Sequence, residues 1–224
     1  MAKGMHAAID ILAATVNRLR TGKGSRVEAS LFDTSLAFRG YVMQSFGERG
    51  TEPRRWGSAH ESLCPYQVFQ ASDSPILLGV ANDALWQVFC REVDARALAE
   101  DTRFATNAGR VAHREEVLAA VTALLVRDTR DAWTERFSRV GIPCAPILSV
   151  SEVLAHPHTL ASGMIQKLPR GDDAALQVVS QPLRFDGERC AAHGPPPALS
   201  EHTREILASL GYGSDEIDRI TGQD

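Results

Sequence analysis

The chain has 224 residues, of which 44% are hydrophobic and 23% charged, values typical of a packed globular protein. Its net charge of −4 provides no basic excess for nucleic acid, and no apolar run approaches the roughly 20 residues that span a bilayer. A signal peptide is not indicated, because His6 and Asp10 interrupt the first apolar stretch. We therefore expect a cytoplasmic protein with no nucleic-acid or membrane partner.

The cysteine and histidine pattern indicates no metal site. Cys64, Cys90, Cys144 and Cys190 form no C-x-x-C pair, and no histidine stands at metal-finger spacing. Isolated thiols of this kind are expected to be reduced, as in cytosolic proteins. The sequence also lacks the G-x-S-x-G and H-E-x-x-H motifs of common hydrolases.

A helix is predicted at the N-terminus from apolar residues at helical spacing, which are Met5, Ala8, Ile9, Leu12 and Val16. Gly22 and Gly24 are predicted to end it. Because the helix is rich in alanine on several sides, we expect it to be buried from more than one direction. Because few residues precede this helix, the chain offers few neighbours that could cover it.

The next predicted elements lead into a long connection. Residues 26–31 alternate and predict a short strand, and Asp33 is predicted to cap a helix that runs to Phe46. Residues 47–65 are predicted to be irregular, and a connection of this length is often functional. Within it, His60 and Glu61 could form an acid/base pair, although a solvated loop is the simpler interpretation.

The rest of the chain is predicted to alternate between strands and helices. Asn82 or Asp83 is predicted to cap a helix in which Trp86 and Phe89 are core residues, as are Trp133 and Phe137 in a later helix. Ser151 is predicted to cap a short helix that Pro157 closes. The other predictions are strands at 66–71, 76–80 and 164–185 with a loop at 171–173, and helices at 114–126, 129–140, 200–210 and 214–221.

Two further motifs have simple interpretations. His6 and Asp10 lie one helical turn apart, and a hydrogen-bonded pair in an interface is a simpler role than general-base catalysis. The run Gly-Lys-Gly-Ser at 22–25 is similar to the end of a phosphate loop, but it follows a helix instead of starting one. From the residues alone, the chain is an α/β protein without a complete catalytic constellation.

Seven phrases, in the same order along the chain, resemble the family III CoA-transferases of the CaiB/BaiF type. That group includes the formyl-CoA and carnitine-CoA transferases and shares its fold with α-methylacyl-CoA racemase. The phrases cover nearly the whole sequence and are residues 11–33, 65–69, 80–86, 101–111, 141–146, 153–157, and 196–203 followed by 210–212.

The resemblance implies an α/β subunit in which a small α/β domain is inserted into a Rossmann-like large domain, and an interlocked dimer of such subunits. On this plan we predict a large-domain fragment at 1–32, a linker at 33–55 and the small domain at 56–156. A second linker is predicted at 157–180, and a return to the large domain with C-terminal helices at 181–224.

The resemblance also implies a reaction, in which CoA moves between carboxylic acids without a cofactor. An aspartate attacks an acyl-CoA thioester, and the resulting anhydride becomes an aspartyl-CoA thioester that the acceptor acid takes over. The family aspartate falls at or before Met1, and Asp10 and Asp33 belong to later elements. We therefore expect a C-terminal portion that is inactive alone and has no catalytic residue of its own.

The expected partners are acyl-CoA, a carboxylic acid, and a second polypeptide. That polypeptide would be another copy in an interlocked homodimer, an N-terminal half of the subunit, or a homologous subunit. A non-catalytic partner subunit therefore stays open as an alternative to the transferase.

Two segments are predicted to lie near the site. The first occupies the place of a mobile glycine-rich loop that closes over the acyl intermediate, and its residues are Gly57, Ser58, Ala59, His60, Glu61 and Ser62. It has a single glycine, which disfavours oxalate as the acid. The second is Asn82 and Asp83, where the racemase branch has an acid/base glutamate. Asparagine cannot take up a proton, so we favour the transferase, with a racemase-type epimerase as an alternative.

Overall fold

The computed structural model describes residues 1–169, 175–190 and 194–222 as a mixture of helices and short strands. This confirms the predicted α/β class. The chain divides into two compact units, which we call the first unit, Met1–Val68 with Leu78–Val121, and the second unit, Phe69–Leu77 with Thr122–Asp224. The predicted domain and linker boundaries stay a prediction, and the loop predicted at 171–173 lies outside the described residues.

Three helices open the first unit: α1 (Ala2–Thr21), α2 (Leu31–Ala37) and α3 (Gly40–Arg49). Gly22 ends α1 as predicted, in the left-handed conformation at φ 72°, with its N–H bonded to the Arg18 carbonyl. The expected burial of α1 is wrong within this chain, since no residue in α1–α3 is buried by the described atoms. Among the described residues, the main contacts of α1 are with α2 and those of α2 continue to α3, so these short helices leave much of their surface uncovered.

The connection between α1 and α2 differs from the prediction. Residues 23–30 pair with no strand in the described parts of the chain, so the strand at 26–31 is wrong. An alternating run becomes a strand only where another edge accepts its backbone hydrogen bonds. Ser30, and not Asp33, caps α2, because the Ser30 Oγ accepts a hydrogen bond from the Asp33 N–H at 3.2 Å.

A three-stranded sheet follows, in the order β1–β2–β3, formed by β1 (Tyr66–Gln70), β2 (Pro75–Gly79) and β3 (Cys144–Pro146). The first two strands confirm the predicted pair. Gly79 lies under the Tyr66 ring, where a Cβ atom would be 3.0 Å from Tyr66 Cε2.

The helices of the first unit then build its core. They are α4 (Asp83–Glu92), α5 (Arg96–Glu100), a 3₁₀ helix (Thr102–Phe104), α6 (Asn107–Ala112) and α7 (Arg114–Leu125), which crosses into the second unit. Asn82 caps α4, with its Oδ1 atom 2.8 Å from the Leu85 N–H. Trp86 and Phe89 are fully buried and stacked with ring centroids 5.7 Å apart, which confirms them as core.

In the second unit, α8 (Arg130–Arg139) follows a Thr129 cap, and its buried Trp133 and Phe137 agree with the predicted core residues. The helix α9 (Val150–Ala155) begins at Ser149, so the Ser151 cap is wrong. Ser149 stands three residues before Glu152, the spacing of a capping box, and both of its hydrogen bonds are present. Pro157 starts the next helix, α10 (Pro157–Ser162), instead of closing the previous one.

Short strands and two helices complete the second unit. Strands β4 (Ile165–Leu168) and β5 (Leu176–Val179) pair antiparallel, and β6 (Arg184–Phe185) pairs with β7 (Glu188–Arg189). The helices α11 (Thr203–Ser209) and α12 (Ser214–Thr221) lie where the sequence predicts them. Among the described residues, none of the helices is both long and apolar enough to cross a membrane.

Candidate active-site loop

The loop at 56–65 lies in the first unit and folds back on β1. Gly57 has φ +65°, a conformation that favours glycine, and the Ala59 N–H donates to the Trp56 carbonyl at 3.1 Å. The Ser58 Oγ accepts a hydrogen bond from the Val68 N–H at 3.2 Å. The first half of the loop is therefore a turn attached to the neighbouring strand.

His60 is held by its backbone and by its ring. Its N–H donates to the Tyr66 carbonyl at 2.9 Å, and its ring stands edge-on to the Tyr66 ring with centroids 5.6 Å apart. The ring Nδ1 accepts a hydrogen bond from the Ser62 N–H at 3.1 Å. In the parts of the chain that are described, no hydrogen bond joins His60 to the Glu61 carboxylate, and the ring contacts Ser62 instead.

Asn107 attaches the second half of the loop to the start of α6. Its Oδ1 accepts a hydrogen bond from the Cys64 N–H at 3.2 Å, and its Nδ2 donates to the Ser62 carbonyl at 2.8 Å. One amide side chain therefore pairs with one donor and one acceptor of the loop backbone. This arrangement needs the amide specifically, because a carboxylate has no hydrogen to donate.

Arg110 secures the end of the same half from the interior. Its side chain is completely buried, and its Nε donates to the Cys64 carbonyl at 2.8 Å. Its Nη1 donates to the Phe104 carbonyl at 2.9 Å, and its Nη2 to the Asp83 Oδ1 at 3.0 Å. A buried guanidinium needs such partners, since an unpaired charge is costly to remove from water.

Asp83 joins α4 to this cluster. Besides the bond from Arg110, its Oδ1 accepts a hydrogen bond from the Asn107 N–H at 2.7 Å. The predicted site residue Asp83 therefore acts on the loop through the two residues that bind it. The neighbouring Asn82 is the helix cap already described, and its Oδ1 is engaged by the backbone of α4.

Arg114, at the start of α7, holds the first half of the loop. Its Nη2 donates to the Glu61 carbonyl at 2.6 Å, and its guanidinium lies 4.8 Å from the centre of the Trp56 ring. The guanidinium of Arg54 also approaches that ring, at 3.5 Å. Cations over an indole face are attracted by its quadrupole, so Trp56 is held by stacking.

The sequence pattern did not single out Asn107, Arg110 and Arg114, the three residues that hold the loop. They follow the spacing i, i+3, i+7, which places them on one face of successive helical turns. Asn107 and Arg110 lie inside the segment 101–111, which resembles the family. The polar residues at helical spacing in that segment were the signal that could have found them. Their loop partners are distant in sequence, which spacing does not reveal.

The thiol next to these arginines is not activated as a nucleophile. Burial raises the pKa of the Cys64 thiol, and this outweighs the lowering by Arg114 and Arg110. Burial likewise raises the pKa of Cys90 to about 12. Since the thiolate is the reactive form, neither group is suited to attack an acyl group.

Among the described residues, no three or more histidine, cysteine, aspartate or glutamate side chains come together in a way that could hold a metal ion. The polar groups of the loop cluster are an amide, two guanidinium groups and one carboxylate. The amide and the guanidinium groups donate to backbone carbonyls of the loop, and the Asp83 carboxylate accepts from Asn107 and Arg110.

Residues 1–203 match the family model described as CoA-transferase family III, so the chain belongs to that family. This confirms the resemblance drawn from the seven phrases.

Individual relatives agree with the family. The chain is 29% identical over 221 residues to succinyl-CoA:glutarate CoA-transferase of Mus musculus, covering 98% of this chain and 51% of the relative. It is 34% identical over 177 residues to acetyl-CoA:oxalate CoA-transferase of Acetobacter aceti, covering 79% and 44%. The expectation against oxalate stays a prediction.

Among solved structures, a CaiB/BaiF family protein from Brucella suis matches with a TM-score of 0.81 and 30% identity. The match covers 94% of this chain and 54% of that one. The chain thus spans about half the length of the relatives it matches.

Proposed function

We propose that this chain takes part in the transfer of CoA between carboxylic acids, as the C-terminal half of a family III CoA-transferase subunit. The observation that carries the proposal is the family match over residues 1–203. The relatives from Mus musculus and Acetobacter aceti are named for such transfers. An acyl-CoA thioester and a carboxylic acid are the substrates, and no cofactor takes part.

In this proposal the nucleophilic aspartate is supplied by a segment outside these 224 residues. The chain contributes the loop at 56–65, whose tip at 57–62 covers the acyl intermediate and keeps water from it. An anhydride is hydrolysed readily, so excluding water protects the intermediate until CoA or the acceptor acid arrives. Fixing the carbonyls of Glu61, Ser62 and Cys64 keeps the loop in its covering position.

The same proposal includes a second polypeptide that covers α1–α3. Large apolar side chains on these helices are exposed, for example Leu12 at 65%, Phe32 at 71% and Tyr41 at 77%. Exposed apolar side chains gathered on one part of a chain are typical of an interaction surface. The partner is a second copy in an interlocked homodimer, or an N-terminal half or homologous subunit. If no assembly is active, a non-catalytic partner subunit is the alternative that this surface favours.

The test compares the chain alone with the chain co-purified with the polypeptide encoded directly upstream of its Met1 codon. Each preparation receives succinyl-CoA with glutarate, or acetyl-CoA with oxalate, and the CoA products are separated and weighed by mass spectrometry. We expect transfer only by the combined preparation. Turnover by the chain alone, or a covalent CoA adduct on one of its own side chains, contradicts the proposal.

The test must also distinguish CoA transfer from a racemase-type activity. It would show as deuterium exchange at the α-carbon of a branched acyl-CoA, without movement of CoA to an added acid. The Asn82 amide, engaged as a helix cap, leaves this position without a carboxylate. We therefore expect no such exchange.

A further inference from the structure

His60 presents one defined ring nitrogen to the surroundings. Its Nδ1 accepts the hydrogen bond from the backbone N–H of Ser62, and an N–H group can only donate. In the neutral ring, the proton must therefore lie on Nε2. The Oγ of Ser62 lies 3.3 Å from the same Nδ1, so both polar contacts fall on one edge of the ring.

The position of the ring is fixed as well as its tautomer. The backbone N–H of His60 is bound to the Tyr66 carbonyl, and the Tyr66 ring lies against the imidazole. The loop on either side is held by Arg114 at Glu61 and by Asn107 at Ser62. Nε2 is therefore a preorganised donor on an exposed residue.

The other polar groups of the loop tip are less suited to donate. The Glu61 carboxylate only accepts hydrogen bonds when ionised. The Ser58 hydroxyl accepts from Val68, and its own hydrogen can rotate, so that donor has no fixed direction. The Ser62 hydroxyl faces the imidazole. Among the described residues, the Nε2 atom of His60 has no hydrogen-bond partner, so its hydrogen is available to a ligand.

We propose that the Nε2–H of His60 donates a hydrogen bond to the carbonyl oxygen of the acyl group during transfer. The inference rests on the proposed function, because it assigns a contact within that same site. When a nucleophile adds to a thioester or anhydride, the carbonyl oxygen gains negative charge, and a fixed donor stabilises it. No proton is transferred, so the Nε2–H bond of His60 is intact before and after the step.

The first experiment tests the tautomer in the free 224-residue chain. The ring nitrogens are observed by 15N NMR above the titration range of the histidines, and His60 is assigned by its loss in H60Q. We expect a protonated Nε2 and an unprotonated Nδ1. A proton on Nδ1 overturns the inference, whatever the activity.

The second experiment compares two amide replacements in the active assembly. The amide nitrogen of H60Q reaches the place of Nε2, whereas that of H60N lies near Nδ1. We expect H60N to lower kcat roughly 100-fold, in line with the loss of one oxyanion donor, and H60Q to recover most of it. H158N, on an exposed histidine of α10, is the matched control and should leave kcat unchanged.

The outcomes separate the two proposals. Equal loss in H60Q and H60N, or no loss in H60N, overturns the role of His60 while leaving CoA transfer intact. A wild-type assembly that transfers no CoA overturns the proposed function, and the assigned contact with it.

Discussion

Arg110 and Asp83 form an ion pair in which the Nη2 and Oδ1 atoms are 3.0 Å apart, the guanidinium is completely buried and the carboxylate is half exposed. The pair joins α6 to α4, and Arg110 continues to the loop through the Cys64 carbonyl. A buried cation with four hydrogen-bond acceptors makes the position of the loop depend on the packing of the small helices.

Replacing Arg110 tests how much this cluster contributes to stability. R110M leaves three carbonyls and the Asp83 carboxylate without their donor, and we expect the free energy of unfolding to fall by about 3 kcal/mol. Urea denaturation followed by tryptophan fluorescence measures it, because Trp86 lies 5.3 Å from the guanidinium.

R96M is the matched control for that change. It also removes an ion-paired arginine, but the Arg96 side chain is 86% exposed, and its ion pair is with Glu100. Its cost should be about 0.5 kcal/mol or less. Similar costs for the two variants would show that burial of Arg110 adds nothing.

The two halves of the loop should respond separately to the loss of their attachments. In N107A, the Cys64 N–H loses its acceptor, and we expect its hydrogen exchange to rise about tenfold. In R114M, the amides of Ala59 and His60 should be the ones that exchange faster, because Trp56 and Glu61 are released. N107D keeps an acceptor oxygen for the Cys64 N–H, so hydrogen exchange at that N–H should stay slow. An even rise across residues 57–64 in both variants would contradict two separate attachments.

Gly109 is required by close packing. A Cβ atom at this position would lie 2.1 Å from the Arg103 carbonyl oxygen, so G109A must displace backbone. We expect a loss of about 2–3 kcal/mol. G47A is the control, since no described atom lies within 4 Å of a Cβ there, and it should stabilise α3 by up to about 1 kcal/mol. Thermal melting by circular dichroism compares them, and equal melting temperatures would argue against the contact.

Glu152 should make the stability of the second unit depend on pH in the acid range. Hydrogen bonds from the Ser149 N–H and then from Arg130 lower the pKa of Glu152 from 4.5 to about 2. The stabilisation from its charge is therefore complete above pH 4.5 and is lost as the pH falls towards 2.

The melting temperatures of wild type and E152Q are measured from pH 6 down to about 2.5. The difference between the two melting temperatures should shrink as the pH falls. E135Q removes an exposed ion pair with Arg139 and should change the melting temperature little at neutral pH. A difference that stays constant or grows on acidification would disagree with the role of Glu152.

Much of the local structure could be predicted from the sequence. The periodicity of α7 and α8, the Asn82 cap and the stacked Trp86 and Phe89 follow from interactions within a few residues. For α2 and α9, where two nearby residues could each cap the same helix, the predicted cap was wrong. Ser30 and Ser149 act as caps in place of Asp33 and Ser151, since only the folded backbone decides which oxygen reaches an unpaired N–H.

By itself, the sequence determined the α/β class, the family and the place of the loop, because these depend on residue order and local spacing. Only the tertiary structure decided that Asn107, Arg110 and Arg114 hold this loop, and that His60 turns to Ser62 instead of Glu61. Asn107 and Arg110 reach loop residues more than 40 positions away. Such hydrogen bonds depend on how the helices pack, and no periodicity in the chain records that packing.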